Sequence, residues 1–320
     1  MKVASPGVLA PNSRRHVVFV SLIVISSLLF CKTLAQLATY SLHDDSNSHI
    51  VLIPFISFSL LYMERQRVFS SVRTSVGSGA GLAICGLILW WLAHHGAYLG
   101  DGNWRLTFPA IAVVLIWIGG FLLCYGSDAL RAGIFPLLFL FLMVPLPEVI
   151  LDRTIHALQE GSTDVTYLIF QAVGMPVVRH GFLLSVPGVT IEVAKECSSI
   201  RSSVALLITC LIAAHLYLRT SWKIILMVLL VVPVSVIKNG IRIATLTLLS
   251  IYVDPSFLTG KLHHEGGFVF FLVALLILWP IFSWLARSEK ARGSVHGRSV
   301  FDSSDKSGLV ESKSRDHEIA

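Results

Sequence analysis

Charged residues are scarce in this chain. Only 14% of its 320 residues are Asp, Glu, Lys or Arg, and 54% are hydrophobic, whereas soluble globular domains carry about 25% charged residues. This shortage excludes a soluble globular domain. The net charge of +6 does not indicate nucleic-acid binding, because the basic residues cluster at the ends of apolar runs and in the tail, where they determine membrane topology.

Several motifs of known chemistry are also missing. The five cysteines form no CxxC pair and no Cys/His zinc spacing, which argues against a disulfide framework or a structural zinc site. The intramembrane protease signatures GxGD and HExxH do not occur, and neither a P-loop nor a dinucleotide fingerprint is present. The sequence therefore predicts no cofactor and no bound metal.

Eight apolar runs have about the length that crosses a membrane core of ~30 Å, although the second is a little short. They cover residues 17–35, 50–63, 79–99, 106–125, 132–150, 200–218, 222–252 and 267–286. We predict an all-α polytopic integral membrane protein with about eight transmembrane helices. Residues 1–16 are then a cytoplasmic N-terminus, residues 17–286 the membrane domain, and residues 287–320 a disordered cytoplasmic tail.

The polar segment at residues 151–199 separates the fifth run from the sixth. Its first part combines helical periodicity with charged residues, which predicts an amphipathic helix lying at the membrane interface. The sequence GFLLSVPGVTIEVAKE, residues 181–196, then alternates around a Pro-Gly pair and predicts a short β-hairpin. The N-terminus, the loop 64–73, the turn at Arg219 and Lys223 and the tail 287–298 are all basic. The positive-inside rule therefore places both termini in the cytoplasm and residues 151–199 outside. A ninth span would break this agreement.

Cys197 is the one cysteine in polar sequence, within AKECSSIRSS. A helix N-terminus and nearby cations such as Lys195 and Arg201 lower the pKa of a thiol and favour its nucleophilic form. The distance from residue 222 to Arg242 is about 30 Å of helix, so Arg242 reaches the same outer surface as Cys197. The outer loop at residues 253–266 adds His263 and His264.

Cysteine, histidine and arginine together suit acyl transfer, since a histidine activates a thiol and an arginine stabilises an oxyanion. Each residue also has a simpler interpretation. Cys197 can be an inert cysteine at a helix boundary, and Arg242 can snorkel to lipid head groups. Arg201 can face the site or only mark the helix end. The sequence HHE at 263–265 can suggest metal binding, but it lacks the HExxH spacing.

Five ordered elements resemble the exosortase/archaeosortase family over residues 48–286. They are SHIVLIPFISFSLLY, FLMVPLPEVILD, ECSSIRSS, NGIRIATL and LHHEGGFVFFL. The resemblance implies a cysteine protease or transpeptidase of the bacterial inner membrane, with its active site facing the periplasm and a link to exopolysaccharide production. Its clients would be exported proteins whose C-terminal sorting signal combines a short motif, often PEP, with a transmembrane helix and a basic cluster.

Carried over residue by residue, the resemblance makes Cys197 the nucleophile, Arg242 the essential arginine and His263 the acid/base. His264 is the alternative acid/base, and Arg201 and Asn239 are accessory residues. A histidine at the third position favours the bacterial branch of the family. Ser199 stands where the family often has glycine, which leaves the subfamily open. Water and an amine, such as one on a membrane lipid, are both open as the final acceptor.

Two other functions stay open at this point. A transporter or exopolysaccharide-assembly protein without peptidase activity would have inverted repeats, broken helices and polar residues at mid-membrane depth in several spans. A non-catalytic scaffold would tolerate Cys197→Ala. The sequence has no convincing repeat, and its polar groups gather near the predicted outer surface, so the cysteine peptidase is the favoured interpretation.

Overall fold

The computed structural model of the protein describes residues 11–70, 75–95, 103–194, 200–258 and 267–289. Almost all of this chain is helical, because a backbone within a membrane must satisfy its hydrogen bonds internally. The chain divides into two compact units, Met1–Ile155 and His156–Ala320. Each unit is described by itself.

The helices of the first unit follow one another closely along the chain. They are α1 (Pro11–Leu29), α2 (Cys31–His43), α3 (Leu52–Met63), α4 (Arg65–Val68), α5 (Val76–His95), α6 (Trp104–Ala132) and α7 (Ile134–Phe139). Helix α8 (Glu148–Ala172) begins in the first unit and continues into the second. The second unit adds β1 (Val178–His180), β2 (Leu183–Val186), β3 (Val189–Glu192), α9 (Ile200–Tyr217), α10 (Ser221–Tyr252) and α11 (Gly267–Glu289).

The predicted fold class is confirmed. Among the described residues, the helices α5, α6, α9, α10 and α11 are long and apolar enough to cross a membrane, and the number rises to seven if two bent helix pairs each form one span. The structure thus has five to seven candidate spans, compared with about eight predicted. The predicted run 50–63 is the helix α3, whose 12 residues extend only about 18 Å.

Prolines cause the bend in the predicted run 132–150. A residue before proline is pushed out of the helical region, and Val144, before Pro145, is extended with ψ 120°. The carbonyl of Pro147 then accepts the amides of Ile150 and Leu151 as α8 begins. The axes of the segment Ile134–Met143 and of α8 differ by 91°, so this run breaks and its last residues belong to α8.

The first predicted run also lies in a bent helix pair. Its two parts, Ser13–Leu29 and Cys31–His43, are bent by 76° relative to each other.

The three helices α9, α10 and α11 share one apolar core. Its fully or nearly buried members come from all three helices and their connection. They are Leu206, Cys210, Ala214, Leu218, Met227, Val231, Val234, Ala274, Leu278 and Leu285. Lys223, near the start of α10, contacts Glu289 at the end of α11, and a short turn joins α9 to α10, so each helix runs opposite to the next.

The predicted hairpin is present as part of a three-stranded antiparallel sheet with the order β1-β2-β3. Gly188, in the turn between β2 and β3, has φ +89°, which a glycine adopts without the steric cost of a Cβ. Leu184, Val186 and Val193 are buried against Phe170 of α8 and against α10. The sequence predicted β2 and β3, whereas β1 was missed.

Small residues bring α5 and α6 into direct backbone contact. A Cβ on Gly79 would lie 2.6 Å from the amide nitrogen of Leu123, and one on Gly86 would lie 2.9 Å from the carbonyl oxygen of Ala112. On α6, a Cβ on Gly119 would lie 2.8 Å from the amide nitrogen of Ala83. Membrane helices associate through such small residues because lipid offers no hydrophobic drive between helices.

Replacing Gly79 with valine should destabilise the first unit, because a clash with a backbone atom cannot be relieved by a side-chain rotation. We expect a loss of about 1–3 kcal/mol, measured as a lower thermal midpoint in detergent. Gly81→Val is the matched control, since the space around Gly81 on the same helix is open to 4 Å. Equal midpoints for the two variants would contradict the close α5–α6 contact.

Candidate active site

A polar group lies on one face of α10, at Lys238, Asn239 and Arg242. Lys238 and Asn239 are each only 1% exposed. The ammonium group of Lys238 donates a hydrogen bond to the hydroxyl oxygen of Ser202, in the first turn of α9. The guanidinium of Arg242 lies one helical turn further along α10 and repels this ammonium. This end of α10 is therefore electropositive and suited to an anionic group.

Asn239 is held by α8. Its side-chain nitrogen donates to the hydroxyl oxygen of Ser162, at 3.0 Å, and the hydroxyl of Thr166 donates to the carbonyl oxygen of Gly240 at 3.4 Å. The two helices approach closely here because residue 240 has no side chain. A Cβ on Gly240 would lie 2.5 Å from a methyl carbon of Val165. Thus α8 fixes the part of α10 that carries the predicted arginine.

Four uncharged polar residues in the middle of α8 face inward. Gln159, Ser162, Thr163 and Thr166 are buried, and they follow the i, i+3, i+4, i+7 spacing of one helical face. The side-chain amide of Gln159 donates to the carbonyl oxygen of Val193. The predicted amphipathic helix therefore exists, but its exposed surface carries charged residues together with apolar ones, and its small polar residues line an internal contact with α10.

Two lysine contacts set the axial alignment of α9, α10 and α11. At the start of α10, the Lys223 ammonium lies 3.4 Å from a carboxylate oxygen of Glu289, the last residue of α11. The 23 residues of α11 extend about 34 Å, and the same length along α10 reaches about residue 245. The Lys238–Ser202 contact places the first turn of α9 at the same level. Arg242 and the N-terminal ends of α9 and α11 thus lie at one end of this helix layer.

The predicted site residues divide into two groups. Arg242, half-buried on α10, the buried Asn239 and the exposed Arg201 on α9 are described, and all three have further interaction partners. Cys197, His263 and His264 lie outside the described residues. In the sequence, Cys197 comes three residues before α9, and the histidines come at most four residues before α11.

The chain that leaves α10 carries a fixed negative charge at Asp254. A carboxylate oxygen of Asp254 accepts the backbone amide of Ser256 at 2.7 Å. The hydrogen bonds from Ser256 lower the pKa of the Asp254 carboxyl, so the group stays ionised at neutral pH. It caps the short 3-10 turn Pro255–Leu258, which leads towards the predicted histidines.

The described residues can supply charge stabilisation but hold no metal-binding group. Across the described ranges, no three His, Cys, Asp or Glu side chains come together as a metal site requires. A buried ammonium and a half-buried guanidinium one turn apart can stabilise an oxyanion. Such stabilisation is stronger in a site that excludes water, because the effective dielectric constant is low there.

Four residues of this site escaped the sequence prediction. No role is assigned from the sequence to Lys238, Gln159, Ser162 or Ser202. The spacing of Gln159, Ser162, Thr163 and Thr166 was the available signal. It was obscured because charged residues alternate with these four along α8.

The family model described as transmembrane exosortase (Exosortase_EpsH) matches residues 40–280 of the chain. The match covers about three quarters of the sequence and includes α9, α10 and the positions of Cys197, Arg242, His263 and His264. No curated protein and no solved structure matches the chain.

Replacing Lys238 with methionine should leave the fold intact and stabilise it. A buried ammonium whose described partners are a neutral hydroxyl and a repelling guanidinium retains a desolvation cost that methionine, of similar shape, removes. A gain of about 1 kcal/mol would raise the thermal midpoint by roughly 2–4 °C, measured in detergent.

Lys223→Met on the same helix is the matched control for Lys238→Met. Lys223 is also buried, at 3% exposure, but it has Glu289 as an ion-pair partner and donates to the carbonyl oxygen of Leu285 at 3.2 Å. Its replacement should therefore lower the midpoint. A lower thermal midpoint in both variants would show that Lys238 stabilises the fold as Lys223 does.

Proposed function

This chain belongs to the transmembrane exosortase family, a family of membrane cysteine peptidases, and from this premise we propose a specific activity for it. The protein cleaves the C-terminal sorting signals of exported proteins at the outer face of the bacterial inner membrane. Its clients end in a short PEP-type motif, a transmembrane helix and a basic cluster. The reaction contributes to protein sorting at the surface of bacteria that make exopolysaccharide.

The proposed reaction begins with the thiolate of Cys197. It attacks the carbonyl carbon of the client's scissile peptide bond, and Arg242 stabilises the oxyanion that forms. His263 donates a proton to the departing amine as the C–N bond breaks, which leaves the client as a thioester on Cys197. Water or an amine, such as one on a membrane lipid, then attacks this thioester and gives a proton to His263; the C–S bond breaks, and the thiolate of Cys197 is restored.

One observation carries this proposal. The contact between Lys238 and Ser202 aligns the first turn of α9 with the part of α10 that precedes Arg242. Cys197 is joined to that end of α9, three residues before it begins, so a span of at most about 11 Å separates it from Ile200. The alignment supports a site in which a thiol and a guanidinium act on the same carbonyl group.

The electropositive end of α10 suits the proposed chemistry for a second reason. An anionic intermediate in a membrane protein must be stabilised by groups already in place, because little water is present to reorganise around it. Asn239 and Gly240 are held by α8 through Ser162 and Thr166, so the turn before Arg242 cannot shift freely. A fixed turn keeps the guanidinium ready for the charge that develops.

Replacing Cys197 with alanine or serine should abolish client processing, with a loss of at least about 10³-fold, because no other group forms the thioester. The measurement follows a tagged client in the source organism on a gel, with each variant blotted for expression. Cys210→Ala is the matched control, since Cys210 is a buried core residue of α9, and it should process the client normally. Continued cleavage by a well-expressed Cys197→Ala variant would rule out the peptidase.

The two neighbouring histidines should differ in their effect. His263→Ala should reduce processing by about 10²–10⁴-fold, the usual contribution of a general acid/base, and His264→Ala should change it little. The measurement is the rate of client cleavage by each purified variant in detergent, with thermal midpoints to establish that both variants are folded. The reverse pattern would assign the acid/base role to His264.

A further inference from the structure

The strand β3 has an outer edge that no other strand of the described chain covers. The sheet order places β1 and β3 at its two edges, with β2 between them. Backbone N–H and C=O groups on such an edge are ready to pair with another extended chain. The backbone groups that β3 presents along this edge follow from its pairing with β2.

The hydrogen-bond pattern identifies these groups. In an antiparallel pair, opposite residues alternate between hydrogen-bonded and non-hydrogen-bonded pairs. The amide of Val193 donates to the carbonyl oxygen of Phe182 at 3.0 Å, so Phe182 and Val193 form a hydrogen-bonded pair. In the register Leu183↔Glu192 and Ser185↔Thr190, the backbone groups of Thr190 and Glu192 must then point away from β2.

The far end of β3 is anchored beside the predicted arginine. Val193 is 1% exposed and packs in one cluster with Ile243 and Ala244, the residues that directly follow Arg242 on α10. Its carbonyl oxygen accepts the amide of Gln159 from α8. The strand therefore ends at a fixed point next to the electropositive end of α10.

The chain continues from β3 towards the predicted nucleophile. Cys197 comes five residues after Glu192, which is at most about 18 Å of extended chain, and α9 begins three residues later. A segment paired with β3 would therefore lie within reach of the predicted active site. The strand β1 lacks this connection, because it precedes β2 and leads away from α9.

We propose that the outer edge of β3 binds the extended segment of a client directly before the client's membrane helix, as an added strand. This inference rests on the proposed function. The client chain passes from the aqueous side towards its membrane helix, and β3 likewise runs towards the membrane helix α9. The client strand therefore lies parallel to β3. Its backbone pairs with Thr190 and Glu192, and its scissile bond lies beyond the end of β3, towards Cys197.

Backbone pairing explains how one protein could accept several clients. Main-chain hydrogen bonds supply affinity whatever the side chains are, and pockets for alternate side chains add selectivity. The exposed sheet face next to this edge carries Thr190, Glu192 and Leu183, which is 42% exposed. Thr190 and Glu192 lie on β3 itself and are next to the client strand, whereas Leu183 lies one strand further away, on β2.

The first test uses Thr190→Pro and Glu192→Pro, each compared with the alanine variant at the same position. Proline removes the outward N–H, and the sheet tolerates it because that N–H makes no bond within the ladder. Loss of one main-chain hydrogen bond of about 1 kcal/mol, together with the clash of the ring, should lower client cleavage by about tenfold. The alanine variants keep the N–H and lose only the side chain, so the tenfold loss is measured between the proline and the alanine variant at the same position.

The client for these assays is a tagged exported protein of the source organism that ends in a PEP motif, a membrane helix and a basic cluster. Thermal midpoints equal to that of the parent protein establish that the proline variants are folded. Normal cleavage by both folded proline variants would overturn the proposal.

Amide hydrogen exchange provides a test that needs no proline. Addition of the same client to Cys197→Ala protein in detergent should slow exchange at Thr190 and Glu192, and leave the already paired amides of Ile191 and Val193 unchanged. Unchanged exchange at Thr190 and Glu192 would overturn strand addition. Slowing that depends on protein concentration alone would also overturn it, by showing that a second copy of the chain covers the edge.

The outcomes separate this inference from the proposed function. If Cys197→Ala abolishes cleavage but both proline variants cleave normally, the peptidase stands and the docking edge is wrong. If Cys197→Ala still cleaves the client, the proposed function fails first, and the docking edge, which rests on it, fails with it.

Discussion

The ion pair of Lys223 with Glu289 is the contact on which the alignment of the membrane helices in the second unit depends. It fixes the start of α10 against the end of α11, while the hydrogen bond from Lys238 to Ser202 marks the level of the first turn of α9 along α10. Between these two contacts lies the apolar core that the three helices share. The two polar contacts therefore show which residues of the three helices share a level, and Arg242 shares its level with the first turn of α9.

The inward polar face of α8 completes this arrangement. The Ser162 hydroxyl oxygen accepts the side-chain amide of Asn239, and the Thr166 hydroxyl, which donates to the carbonyl oxygen of Ser162 at 2.7 Å, also lies 3.4 Å from the carbonyl oxygen of Gly240. These bonds require a close approach, which Gly240 permits. The same helix holds the end of β3 through Gln159. One helix thus positions both the catalytic candidate on α10 and the strand that we propose to receive the client.

The sequence predicted the parts of this structure that depend on long apolar runs. The runs 200–218, 222–252 and 267–286 correspond to α9, α10 and α11 within a few residues, because span length follows directly from membrane thickness. The Pro-Gly turn likewise predicted β2 and β3. The sequence could not show which way α8 faces, since charged and small polar residues both look hydrophilic and only packing separates them. The role of Lys238 was hidden for a similar reason, because its partner Ser202 is 36 residues away. The roles of Cys197, His263 and His264 stay predictions.

The bent helices and the two buried lysines bear on the transporter and scaffold alternatives. Broken helices are expected of a transporter, where the break frees backbone groups to bind a substrate. At the first bend, however, the amide of Phe30 donates to Ser26 and its carbonyl accepts Leu34, so the break frees neither group. At the second bend, Thr107 donates to the carbonyl oxygen of Pro145 at 2.9 Å. A non-catalytic scaffold has no need of the buried ammonium of Lys238, because a methionine of similar shape could fill the same space. Lys223 has a carboxylate partner and so a structural reason to be buried, whereas Lys238 has a hydroxyl partner and a neighbouring guanidinium. Under the proposed function, the oxyanion of acyl transfer would supply Lys238 with the anionic partner that the described residues do not provide.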